Sequence, residues 1–124
     1  MTKEGRAFVA WVSGQLADCC KVSAISETAE GELFNFELEE QCVTPTLPER
    51  PCGVSRDAAA ANYCLLDPKN RKHICLSLYD RLFEGFDHGS ASHFNGFIDG
   101  SNITLYDFAA SDYFSYVLPP QQSR

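Results

Sequence analysis

The sequence predicts an α+β fold, with an N-terminal helix packed on a mostly antiparallel sheet that ends in a β-meander. Three observations predict it. Phe8, Trp11, Val12 and Leu16 recur at helical spacing near the start. Phe34, Phe36 and Leu38 alternate with Asn35, Glu37 and Glu39, the period of a strand with one wet face. From Tyr63 onward, short apolar runs are separated by turn sequences. The helix precedes the strands instead of alternating with them, which argues against a parallel sheet and for one of about five to seven antiparallel strands.

The elements follow in order. Residues 4 to 20 form the helix, its apolar stripe completed by Cys19 or Cys20, with Gly5 and Gly14 each weakening it by about 1 kcal/mol if interior. A hairpin follows, with Val22 to Thr28 as one arm, Ala29-Glu30-Gly31 as the turn and Glu32 to Glu40 as the other arm. Pro45, Pro48, Pro51 and Gly53 make residues 43 to 56 a loop, because proline fixes φ and removes a donor. Ser55 caps a short helix through Ala58 to Ala61. Tyr63 to Asp67 and Lys72 to Tyr79 flank the turn sequence Pro68-Lys69-Asn70-Arg71. Leu82 to Ser92 carries no decisive pattern. Phe94 to Ile98, Ile103 to Phe108 and Tyr113 to Leu118 then form the meander. Residues 1 to 118 read as one domain and 119 to 124 as a frayed tail. Leu76-Ser77-Leu78-Tyr79-Asp80 echoes Ile103-Thr104-Leu105-Tyr106-Asp107, but the echo stops at the flanks and does not establish a repeat.

Composition narrows the function classes. The chain has 124 residues, 44% hydrophobic and 22% charged, with a net charge of −7. Residues 22 to 49 hold seven Glu and no Lys or Arg, and residues 82 to 123 hold five acids and no base. An acidic chain repels phosphate backbones, which disfavours direct nucleic-acid binding. No apolar run reaches the ~18 residues of a membrane span. Behind the charged start the apolar run Ala7 to Val12 is shorter than a signal peptide's, so the expectation is a cytoplasmic protein whose six cysteines are reduced thiols.

Four constellations could carry chemistry. His73 and Cys75 share a strand face, and Cys42, Cys52 and Cys64 could join them around zinc; the close cysteine pair usual for zinc is absent, and packed thiols with a hairpin histidine are the more ordinary explanation. Asp87, His88 and His93 lie in or beside a small-residue loop, near Glu84 and Arg81. A histidine with a carboxylate can serve as general acid or base in a small hydrolase, provided the side chains converge. A cysteine nucleophile lacks any local signature. The last hairpin carries aromatics on both faces, with acids among them: Tyr106, Asp107, Asp112, Tyr113 and Tyr116 join Glu37 and Glu39 as the candidate binding residues. The expected function is a small acidic binding protein of inhibitor, immunity or adaptor type. It would dock a basic protein partner, or form a homodimer through the aromatic face, without a cofactor. A His/carboxylate hydrolase and a zinc-stabilised adaptor are the alternatives.

Overall fold

A computed structural model describes residues 1–18, 24–29, 31–36, 43–45, 61–67, 69 and 71–118. The predicted tail, residues 55–60 of the predicted Ser55 helix and the candidates Glu37 and Glu39 lie outside the described residues, and Ala61, the helix's expected last residue, begins a strand instead. Helix α1 spans Lys3–Asp18. Thr2 caps it, its Oγ1 accepting from the Gly5 amide at 2.9 Å. The strands are β1 Ala24–Glu27, β2 Leu33–Asn35, β3 Val43–Pro45, β4 Ala61–Leu66, β5 His73–Tyr79, β6 Leu82–Asp87, β7 Ser92–Asp99, β8 Asn102–Asp107 and β9 Asp112–Val117.

These nine strands form one sheet in the order β2-β1-β9-β8-β7-β6-β5-β4-β3, more than the five to seven expected. Every neighbouring pair is antiparallel. The meander therefore runs from β3 to β9, and the β1–β2 hairpin attaches to its last strand. Val43–Pro45 is a strand where a loop was expected. It sits at the sheet edge, paired on one side only, the place in a sheet where proline is tolerated.

The helix differs from a one-faced amphipathic helix. Ala7 through Ser13 are all at most 2% exposed, so its middle turns are enclosed on every side, as befits a segment apolar all round. Phe36 packs on Phe8 and Trp11 with ring centroids 5.5 and 5.4 Å apart. On the sheet side the helix meets inward residues at alternate positions, among them Ile25, Ile74, Leu76, Phe83, Phe94, Ile103, Leu105 and Tyr116. A Cβ at Gly85 would collide with the Cys75 carbonyl and the Phe94 ring, and one at Gly96 with the Thr104 carbonyl and the Phe83 ring. Each glycine is thus roofed by a phenylalanine from the adjacent strand, whose ring fills the place of the missing side chain.

The hairpins repeat a geometry that residue identity hides. Asp67, Asp87 and Asp107 are buried and stand 20 residues apart. Each closes its turn by accepting from the amide two residues on, at 2.9 Å (Lys69), 3.1 Å (Gly89) and 3.0 Å (Ala109). Four residues after each carboxylate the backbone turns left-handed, with φ of 60° at Arg71, 53° at Ala91 and 53° at Ser111. Glu27, also buried, precedes Gly31 (φ 67°) in the same way. The other ends of the hairpins turn at Asp80 (φ 54°) and Gly100 (φ 61°). The echo between Leu76–Asp80 and Ile103–Asp107 is out of phase with this period, because Asp80 is an exposed turn residue and Asp107 a buried one.

Asp107 ties helix to sheet. Its Oδ2 lies 3.2 Å from Arg6 Nη1, and the guanidinium carbon stands 3.9 Å over the Phe114 ring. The Tyr116 hydroxyl is buried nearby with no hydrogen bond of normal geometry. Of the sulfurs, Cys64 is a free thiol and Cys75 is disulfide-bonded, so the expectation of reduced thiols fails at Cys75. That expectation rested on the chain's start and took no account of where the sulfurs lie in the fold.

Two stability predictions follow from this packing. Gly85→Ala should lower the unfolding free energy by about 1–3 kcal/mol, measured by urea denaturation, because the backbone oxygen it meets cannot yield. A variant as stable as the parent would contradict the Phe94 roof. Burial, opposed in part by Arg6, raises the Tyr116 phenol well above the ordinary tyrosine range. Unfolded tyrosine ionises near pH ~10, so the stability that protonated Tyr116 contributes is intact below that pH and is lost as pH rises toward the folded-state value. Tyr116→Phe should be neutral or slightly stabilising at pH ~7 and should flatten the alkaline decline. An unchanged decline would assign it to another group.

Candidate functional site

Alternation gives the sheet an outer face opposite the helix. Across it run cross-strand rows. One holds Cys75, Phe86 and His93, extended to Phe108, whose amide donates to the His93 carbonyl. The next holds Ser77, Glu84, Asn95, Tyr106 and Tyr113. A third holds Tyr79, Leu82, Phe97, Thr104 and Ser115. Cys75 and Ser77 are buried, so the open part of the face lies over β6 to β9. There Leu82, Phe97, Phe108 and Tyr113 are 46%, 47%, 50% and 65% exposed, a concentration of large apolar surface in one place.

Two aromatic clusters organise this face. Phe86 touches His88 and His93 edge-on, with centroids 5.0 and 4.9 Å apart. Tyr106 touches Phe108 and Tyr113 at 4.9 and 4.7 Å. Between them lies an open cleft of about 210 Å³ lined by Glu84, Gly85, His93, Phe94, Asn95 and Phe108. Glu84 and Asn95 are half-buried and exposed, and neither side chain has a hydrogen-bond partner among the described residues. Asp99 is exposed at the rim, and no Lys or Arg occurs from Leu82 to Leu118.

The structure divides the residues that the sequence put forward. Tyr106 and Tyr113 stand together on the outer face, whereas Asp112 is exposed at the start of β9 opposite Asp107, one position out of step with that face, its Oδ1 accepting from the Tyr113 amide at 2.8 Å. Asp107 and Tyr116 leave the candidate surface. Both are wholly buried on the helix side, because each lies one position out of step with the outward residues of its strand. Phe97, Phe108, Glu84 and Asn95 join it instead. Counting by twos outward from Tyr106 through the register would have found them, had the turn lengths been known.

The His/carboxylate trio does not converge. Asp87 is buried and spends both oxygens on its own turn, accepting from the Gly89 amide at 3.1 Å and Ser90 Oγ at 2.8 Å. His93 lies on the opposite sheet face, and His88 places Nε2 3.5 Å from Cys75 Sγ. The zinc candidates His73, Cys64 and Cys75 are neighbours, Cys64 pairing with Cys75 across β4 and β5, while Cys42 and Cys52 lie outside the described residues. His73 Nδ1 is 3.6 Å from Cys64 Sγ, while Cys75, being disulfide-bonded, is no thiolate ligand. Among the described residues no group of three or more His, Cys, Asp and Glu side chains is placed to hold a metal ion. Partial burial pushes the Cys64 thiol above its ordinary value, the opposite of an activated nucleophile. No described helix is long and apolar enough to cross a membrane.

This chain matches no family model, no curated protein and no solved structure.

The division of roles is measurable. Asp87→Ala should cost about 1–2 kcal/mol by removing two turn hydrogen bonds from a buried position. His93→Gln, on the open face, should change stability by less than about 0.5 kcal/mol. Urea unfolding of the two variants gives the comparison, and the reverse ranking would mean that Asp87 does not hold the turn.

Proposed function

We propose that this protein is a non-catalytic binding protein that docks a basic macromolecular partner on the outer face of β6 to β9, in the manner of small inhibitors and immunity proteins. One observation carries the reading. The exposed aromatics Phe97, Phe108 and Tyr113 share a face with Glu84 and Asp99, in a stretch without a single Lys or Arg. Aromatic residues concentrate at interface cores because they exclude much water for little conformational entropy. The surrounding carboxylates would steer a cationic surface toward them and disfavour an anionic one. Asp87 and Asp107 take no part, being turned inward, so the attraction rests on fewer charges than the net −7 suggests. Cys75's disulfide is the state expected outside a reducing compartment, and a cytoplasmic location is not part of this reading.

The test uses a short lysine- and arginine-rich peptide and an acidic peptide of equal length. The basic peptide should bind, and its affinity should fall as salt rises from about 50 to about 500 mM. Replacing Phe97, Phe108 and Tyr113 together by Ser should weaken binding by about tenfold or more without loss of folding. Removing two carboxylates away from this face, by Glu4→Gln with Glu32→Gln, should leave most of the binding. Equal losses in the two variants would reduce the effect to net charge and overturn the assignment to this face. A concentration-dependent dimer whose formation the Ser variant abolishes would do the same in favour of self-association.

A further inference from the structure

Resting on that reading, we infer that the cleft between the two aromatic clusters is the anchor pocket of the face, and that it takes one arginine side chain of the partner. Size sets the first limit. At about 210 Å³ the cleft falls below the roughly 300–1,000 Å³ of pockets that enclose small-molecule ligands, and suits a single side chain.

Chemistry sets the second. The lining offers one carboxylate (Glu84), one amide (Asn95), one aromatic face (Phe108) and the His93 ring, and no cation of the Lys or Arg kind. Glu84 and Asn95 are cross-strand neighbours, and both line the cleft. Phe108 and His93 are opposed across β7 and β8, where the Phe108 amide donates to the His93 carbonyl at 3.2 Å. A guanidinium is planar, and it can meet a carboxylate with two parallel N–H donors while its face lies on an aromatic ring. An ammonium would satisfy the carboxylate but leave the flat wall of Phe108 poorly used.

The scaffold supports the same assignment. Tyr106 holds Phe108 edge-on at 4.9 Å with planes 89° apart, and Phe86 holds His93 at 4.9 Å and 69°. Both walls are therefore braced from behind before any ligand arrives, which lowers the ordering that binding requires. Glu84 has no competing side-chain partner among the described residues, so a cation need displace no existing ion pair there.

The experiment is an amide-resolved NMR titration of the whole chain with N-acetyl-arginine amide, N-acetyl-lysine amide and the neutral isostere N-acetyl-citrulline amide. Arginine should give saturable shifts, on the order of millimolar Kd for a single side chain, centred on Glu84, Gly85, His93, Asn95 and Phe108. Lysine should bind several-fold more weakly and citrulline should not saturate. Glu84→Gln should weaken arginine by about tenfold, one charge-assisted contact. Phe108→Leu, which keeps apolar bulk and loses the ring face, should weaken it roughly threefold and bring arginine and lysine closer together. Spectra of both variants away from the cleft should match the parent. Saturable shifts centred elsewhere, equal response to citrulline, or an unchanged Kd in Glu84→Gln would overturn the pocket. If the basic peptide still binds in an outer-face-dependent way while arginine amide gives no saturable shift, the pocket fails and the docking face stands. If neither binds, both fail.

Discussion

The structure depends on one constraint, the strict two-residue alternation of side chains across a sheet whose register the turns hold in place. A slip of one residue in any hairpin would carry the core residues of that strand to the open face and its open-face residues inward. The buried carboxylates at Asp67, Asp87 and Asp107 guard against this. Each accepts the amide two residues on and precedes a left-handed backbone position at the same distance, so the reversals have one geometry and one length. A carboxylate buried without partners would be strongly unfavourable, and here the turn amides and, at Asp107, the Arg6 guanidinium provide them.

That constraint decides which residues are available for function. Consecutive residues such as Tyr106 and Asp107, or Phe86 and Asp87, fall on opposite sides of the sheet. Three of the seven described acids of the meander, Asp67, Asp87 and Asp107, are thereby committed to its architecture, and the aromatic residues divide between core and surface. Phe94 and Phe83 serve the inner face by roofing Gly85 and Gly96. Phe97, Phe108 and Tyr113 remain outside with no covering element among the described residues. The proposed docking face and its cleft are thus what the core-forming pattern leaves over, and their walls are as rigid as the ladder beneath them.

Part of this was readable from the residues alone. The helical stripe at Phe8, Trp11 and Val12, the inward Phe34 and Phe36, and aromatics on both faces of the last hairpin follow from local periodicity, and the α+β meander follows from them. The remainder depends on contacts far apart in the chain. Leu82 to Asp87 had no clear pattern because Gly85 interrupts its inward series, and the ring that fills the gap comes from Phe94. Pro45 signalled a loop because nothing local shows that its strand is an edge. The 20-residue period is hidden in the sequence because φ angles and one carboxylate carry it, with little identity between the hairpins. Asp107 looked like a surface acid until the fold brought Arg6 to it.

Hydroxyl-radical footprinting, free and with the basic peptide bound, tests the central claim most directly. In the free protein Phe97, Phe108 and Tyr113 should oxidise readily, while Phe83, Phe94 and Tyr116 resist, as their burial requires. With peptide bound, protection should fall on the first set and leave Leu33, on β2, as reactive as before. Protection confined to Leu33 or spread evenly over the molecule, with Phe108 and Tyr113 unchanged, would contradict a docking face over β6 to β9.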